Sequence, residues 1–186
     1  MAFLNYVYCD LASPTDYFFE VRNNNLNFEI LASNITSDSI AILPFKIVET
    51  DSMKIGIFSI YTPDFVVKNE ISSKVEFNFQ VFAVTEAVAE FLASRTDLVI
   101  MISNLSRFID NDIVKDKAID IVVSSDYSKS NNSLLNNKTP FYSIISNRGR
   151  FGRLRLIYSA GEIKPYWYEE EIELQRMENI QSEKME

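Results

Sequence analysis

No histidine occurs anywhere in the 186 residues. The side chain that titrates near neutrality and most often ligates transition metals is missing, so imidazole acid–base chemistry is excluded. Cysteine is nearly absent too. Cys9 stands alone, no disulfide can close within the chain, and a lone thiol carries no message about redox compartment; it reads as a small buried hydrophobe. The four glycines are too few and too scattered for a phosphate-cradling loop, and Gly149 and Gly152 suit a tight connection or a bulge. Positive charge is in short supply, with 18 Lys and Arg against 26 Asp and Glu and a net charge of −8. No basic cluster is long enough to neutralise several phosphates, which argues against a nucleic-acid partner. Long apolar runs are missing as well: the longest have strand length, far below the roughly 20 residues of a membrane-crossing helix. The first ten residues lack the basic start and apolar core of a signal peptide.

What remains is rich in core-forming material. Hydrophobic residues make up 47% of the chain and aromatics 13%, enough to fill one real core. Short β-rich runs alternate with helical patterns, the signature of an α/β layered domain. Strands are expected at 3–8, 28–33, 42–49 and 54–60, the last two joined by a turn at Asp51-Ser52. Ser13-Pro14 offers a helix start, with Tyr17, Phe18 and Val21 at helical spacing. Val81, Val84, Val88, Phe91 and Leu92 set the helical period of a second helix over 79–92. Two buried-strand runs follow, 98–102 and 119–123, with a short helix or turn at 109–114 between them. Residues 124–138 read as a polar Ser/Asn-rich loop, and strands at 141–145 and 154–158 close the fold. The expected division is a domain over 1–160, then a terminal strand and acidic tail over 161–186.

The two buried runs end in small polar residues, Ser103-Asn104 and Ser124-Ser125-Asp126. Read from the residues alone, Asn104 caps a strand end and Asp126 opens a polar turn, while Asp10 helps to start the helix after Ser13-Pro14. Arg148, Arg150, Arg153 and Arg155 form a basic group in which Arg148 and Arg150 are candidates to grip a phosphate. If Leu154 and Leu156 face inward, Arg153 and Arg155 alternate outward on a solvated strand face. Tyr166-Trp167-Tyr168 could stack on a base or sugar, or belong to an amphipathic strand packed on the domain.

Five runs, in order, carry a resemblance. Residues 28–35 (Phe-Glu-Ile-Leu-Ala-Ser-Asn-Ile) are like a strand ending Ala-Asn-Val or Ser-Asn-Ile, and 54–59 (Lys-Ile-Gly-Ile-Phe-Ser) are like a Gly-Val-Ile-Gly strand. Residues 96–105 are similar to a strand ending Leu-Ser-His-Leu-Gly, 118–128 to Gly-Ile-Asp-Val-Ile-Ile-Gly-Gly-His-Ser-His, and 147–154 to a closing Gly-Lys-x-x-Gly-Arg-Leu strand. Together they resemble the catalytic domain of the 5′-nucleotidase-like metallophosphoesterases, the calcineurin-like phosphoesterase fold, from about Asp10 to Tyr158. The resemblance implies a partial α-β-β-α layered sandwich with mixed sheets. It also implies a pair of metal ions that activate water for in-line displacement at phosphorus.

That metal site is where the chain departs from the family. Asn104 stands at the family's lone His, Asp126 at the first His of its last motif and Ser128 at the second, while the Asn-His pair is missing around Tyr8-Cys9-Asp10. The chain starts after the place of the family's Asp-x-His and Gly-Asp motifs, so the first strand and the bridging aspartate are expected to be absent. Asp10, Asn104, Asp126 and Ser128 thus become remnant positions of a metal site. No resident cofactor is expected, although carboxylate and amide oxygens could hold Mg²⁺, Mn²⁺ or Ca²⁺ weakly. Three readings follow: a degenerate domain acting as scaffold or interaction surface, a residual phosphohydrolase using Asp10, Asn104 and Asp126 with a hard cation, or a module that pairs an exposed sheet edge with a protein partner or a second copy. Neither nucleic acid nor membrane is an expected partner. The family is usually exported, which this chain's opening residues do not match, so location stays open.

Overall fold

A strand that is apolar on both faces belongs in the middle of a parallel sheet with both sides covered. The structure, a computed structural model describing residues 11–12, 29–38, 41–62, 75–115, 117–124, 132–143, 150–159 and 162–171, places the two buried runs there. Strand β6 (Lys54–Ile60), β8 (Leu98–Ser103) and β9 (Ile121–Ser124) lie side by side and parallel, extended by β11 (Thr139–Ser143). Antiparallel strands β5 (Phe45–Glu49) and β10 (Asn132–Leu135) close the two sides, giving a six-stranded sheet in the order β10-β11-β9-β8-β6-β5. The mixed α/β architecture expected from the alternation of patterns is what the chain adopts.

Period-two alternation then divides the side chains between two cores. Phe58, Met101, Val122 and Phe141 stand in one register row across β6, β8, β9 and β11, all fully buried on the helix side. Leu98, Ile100 and Ile121 point the other way, into a second core with Met53 and Tyr142. Burying one such side chain stabilises the fold by roughly 1.5–3 kcal/mol.

The helix side is covered by α1 (Val81–Ala93) and α2 (Arg107–Ile113). In α1 the buried line is Val81, Thr85, Ala89 and Leu92, with Val84 and Val88 only partly buried beside it. The expected face is therefore rotated. Phe91 lies on the rim, 38% exposed, its ring 5.0 Å from Phe45 and under the Arg95 guanidinium at 3.8 Å. Small residues explain the rotation: Thr85 and Ala89 let the helix settle close to the sheet, and a Cβ on Gly56 would stand only 3.1 Å from Leu92 Cβ. The Thr85 hydroxyl donates to the Val81 carbonyl at 2.7 Å, so its burial leaves no polar atom wanting. Ser106 caps α2 by accepting from Ile109 N–H at 3.4 Å.

Two further corrections concern strands. The single strand expected over 42–49 breaks at Pro44, where β4 (Ile42–Leu43) ends and β5 begins. The two pieces serve different sheets: β4 pairs with β2 (Glu29–Leu31), which pairs in turn with β1 (Leu11–Ala12), all parallel. Pro44 has no N–H for a ladder, so the pairing must change there. The polar loop expected over 124–138 contains β10, which returns to β11 through a turn with Asn136 at φ 49° and Asn137 at φ 57°. Asparagine is the residue that best tolerates such angles after glycine. The strand expected at 154–158 is there and is longer: it belongs to β12 (Arg150–Ser159), which folds back on β13 (Glu162–Glu171) in a ten-pair antiparallel hairpin.

That hairpin is the lid of the second core. Leu154, Leu156, Ile163 and Trp167 pack on it while Arg153 and Arg155 alternate outward, as the alternation predicts. The short pair β3 (Ile35–Thr36) and β7 (Glu76–Phe77) completes the described structure. The expected strand at 3–8 and the helix after Ser13-Pro14 lie outside the described residues. No described helix is long and apolar enough to cross a membrane.

Candidate functional site

In open α/β sheets the ligand crevice lies beyond the carboxyl ends of the parallel strands. Here those ends carry a row of hydroxyls. Ser103, Ser124 and Ser143 are register partners across β8, β9 and β11, and all are buried on the helix side, next to Ile60 of β6. Three strands thus finish on a small polar residue where the preceding row is Met101, Val122 and Phe141. The Ser103 hydroxyl donates to Asp110 Oδ1 at 2.6 Å and accepts from Leu105 N–H at 3.0 Å. Asp110 is fully buried in the first turn of α2, so this contact ties the strand end to the helix.

Asn104 follows directly, half-buried at the end of β8. Its Oδ1 accepts from Thr62 N–H at 2.6 Å, and its own N–H donates to the Ile60 carbonyl at 3.3 Å. The amide therefore continues the pairing of β6 with β8 past the last ladder bond. Asn34 does the same work more deeply: 2% exposed, it donates from Nδ2 to the Tyr61 carbonyl at 2.8 Å and accepts from Tyr61 N–H at 3.0 Å. Its main chain accepts from Asn78 N–H at 2.9 Å, and Ser33 N–H donates to the Ser59 carbonyl at 2.8 Å. Segment 33–34 thereby joins the β1-β2-β4 sheet to the end of β6.

Of the remnant metal-site and phosphate-contact positions, Asn104 is the one whose side chain is described, and it sits at the carboxyl end of β8. Asp10, Asp126, Ser128 and Arg148 lie outside the described residues. Arg150 opens β12, with only its main chain described. Sequence reading missed the parts played by Asn34 and Asp110, and of the row of serines it marked Ser103 and Ser124 as strand ends but not Ser143. The signal was there in Met-Ile-Ser, Val-Val-Ser and Phe-Tyr-Ser, three apolar runs that each stop on serine at 103, 124 and 143.

No family model matches the chain, and no curated protein matches it by sequence. Solved structures do. The sulfate thiohydrolase SoxB of Thermus thermophilus superposes with a TM-score of 0.70 over 92% of this chain and 34% of its own length, at 16% identity. A 5′-nucleotidase precursor, also from Thermus thermophilus, gives 0.65 over 92% and 40%, at 13% identity. The NAD nucleotidase NadN of Haemophilus influenzae gives 0.58 over 87% and 34%, at 17% identity. The fold is a partial metallophosphoesterase-type fold. The chain spans 34–40% of the length of these three proteins, and the likeness in metallophosphoesterase architecture is one of fold alone.

The described part of the site does not fit a two-metal centre. Among the described residues no three His, Cys, Asp or Glu side chains gather closely enough to hold a metal ion. The Asn104 oxygen that could face a hard cation is directed instead at Thr62 N–H. Asp110 faces Ser103 from within the protein, fully buried.

Proposed function

We propose that the chain is a degenerate 5′-nucleotidase-like metallophosphoesterase domain, without catalytic activity, that acts as a scaffold or interaction domain. The reading is carried by one observation: at the strand end where the resembled family places its lone histidine, Asn104 gives its carbonyl oxygen to the main chain of Thr62. A ligand position has become a structural clamp. Zero histidines in the whole chain support the same reading, because borderline metals at a hydrolytic centre are usually held by imidazole.

Purified full chain incubated with Mn²⁺ or Mg²⁺ and p-nitrophenyl phosphate or a nucleoside monophosphate is expected to release phosphate no faster than the protein-free blank. Metal-dependent turnover that rises in proportion to protein concentration would replace this proposal with that of a residual phosphohydrolase.

A further inference from the structure

The hairpin that closes the second core has an outer face of its own. Strand alternation sends Leu154, Leu156, Ile163 and Trp167 inward, and Trp167, the chain's only tryptophan, stacks on Tyr142 with ring centroids 5.5 Å apart and planes at 21°. Its six-membered edge lies over Gly152, where a Cβ would come within 2.0 Å. The tyrosines on either side of it must then point outward. Tyr166 and Tyr168 are 43% and 44% exposed, and Arg153, Arg155 and Lys164 are exposed on the same face.

The ladder sets these side chains in rungs. Arg155 stands opposite Tyr166 and Arg153 opposite Tyr168, with Lys164 opposite Ile157 in the next rung. Directly opposed side chains have Cβ atoms about 5 Å apart, so each tyrosine shares its rung with a guanidinium, and successive rungs follow at about 7 Å along the strands. Glu162 lies beyond them on the same face, 3.9 Å from the Lys164 ammonium, and among the described residues no carboxylate pairs with Arg155. In the linear sequence the arginines and the tyrosines are separate motifs. The register joins them into one cationic, aromatic surface.

We propose that this face binds single-stranded nucleic acid, with bases stacking on Tyr166 and Tyr168 and phosphates meeting Arg153, Arg155 and Lys164. An unpaired strand offers one aromatic face and one negative charge per nucleotide, and each of two successive rungs offers one ring and one guanidinium. Rings that take bases, beside cations that follow the backbone, are how sheets hold single strands. A duplex keeps its base faces stacked inside, and an acidic peptide brings charge without a base, so neither uses both halves of a rung. Overall charge argues against such a partner and still limits the attraction: three cations in a chain of net charge −8 leave stacking to carry most of the affinity. The inference rests on the interaction role proposed above and deepens it by naming the partner's chemistry.

Titrating a fluorescein-labelled short oligothymidylate with the full chain in metal-free buffer is expected to raise its anisotropy to saturation. With three phosphate contacts the affinity should fall about 20-fold between roughly 50 and 200 mM salt, and Arg155→Ala should flatten that dependence by about a third. Tyr166→Ala and Tyr168→Ala are each expected to weaken binding about tenfold while leaving the Trp167 fluorescence spectrum in place, the sign of an intact hairpin. No saturable binding, equal affinity for a duplex of the same length, full displacement by inorganic polyphosphate at equal phosphate concentration, or unchanged affinity in the folded tyrosine variants overturns the proposal. Retention on phosphatidylserine vesicles without oligonucleotide binding assigns the face to a membrane surface and overturns it too. The phosphate-release assay reads separately: turnover accompanied by oligonucleotide binding refutes the loss of activity and keeps this face, whereas neither turnover nor binding refutes the face alone.

Discussion

Asn34 and Asn104 make the same kind of contact at different depths, and the depth decides what each is worth. Asn34 pairs with both the N–H and the carbonyl of buried Tyr61, and withdrawing a partner from a buried group costs about 1–3 kcal/mol. Asn34→Ala is therefore expected to destabilise by about 3 kcal/mol and Asn104→Ala, half-buried with one side-chain bond, by about 1 kcal/mol. Urea denaturation of the two variants checks the order; equal midpoints would contradict it. Tyr142 offers a second test at this scale, because burial raises its hydroxyl pKa above the ordinary value of 10.0. A phenol that holds its proton more tightly when folded contributes stability that is complete below pH 10 and is lost as pH rises through the folded value. Stability measured between pH 8 and 11 should fall at the top of that range, and less steeply in Tyr142→Phe. The strand-end position of Asn104 was legible from sequence because a long apolar run stops there. Its bond to Thr62 was not, since nothing local tells that β6 ends beside it.

The elements that could be read were those whose signal is repeated. Strands β6, β8 and β9 announce themselves as apolar runs bounded by polar residues, and α1 by its period. The face of α1 was misjudged because hydrophobicity ranks Phe91 and Val84 above Ala89 and Thr85, while packing rewards whichever side chains fit against Gly56 and the sheet. Strand β10 was hidden in polar sequence, its turn written in Asn136-Asn137 rather than in the more familiar Asn-Gly. The β12–β13 hairpin shows how one position can govern an element. Any side chain at 152 collides with the Trp167 ring at 2.0 Å, so Gly152→Ala must push the indole off Tyr142 and is expected to cost about 1–3 kcal/mol. Thermal unfolding and the near-ultraviolet dichroism of the lone tryptophan report it; an unchanged aromatic signal would show that the ring is not held as described.

For the molecule as a whole, the decisive feature is a central sheet with a different cover on each side: helices over Phe58, Met101 and Val122, a β-hairpin over Leu98, Ile100 and Ile121. A chain cut after residue 149 would lose the second cover and leave an apolar patch of the kind that soluble monomers avoid. It is expected to bind a hydrophobic dye and to associate, as measured by fluorescence and light scattering; a monomeric, dye-free fragment with a sharp unfolding transition would show that the hairpin is dispensable. The fold class was legible because alternation of strand and helix patterns survives local errors. The second cover was less so, since its strands carry Arg and Glu on the outward face and look like a polar tail.

Pro44 has a mechanical consequence. Because β4 and β5 are separated by that residue alone and belong to different sheets, neither sheet can loosen its grip on this segment without pulling on the other. Amide protons of Ile30–Leu31 and of Phe58–Ile60 should therefore exchange with deuterium at one shared rate, as a single cooperative unit rather than as two halves that breathe in turn.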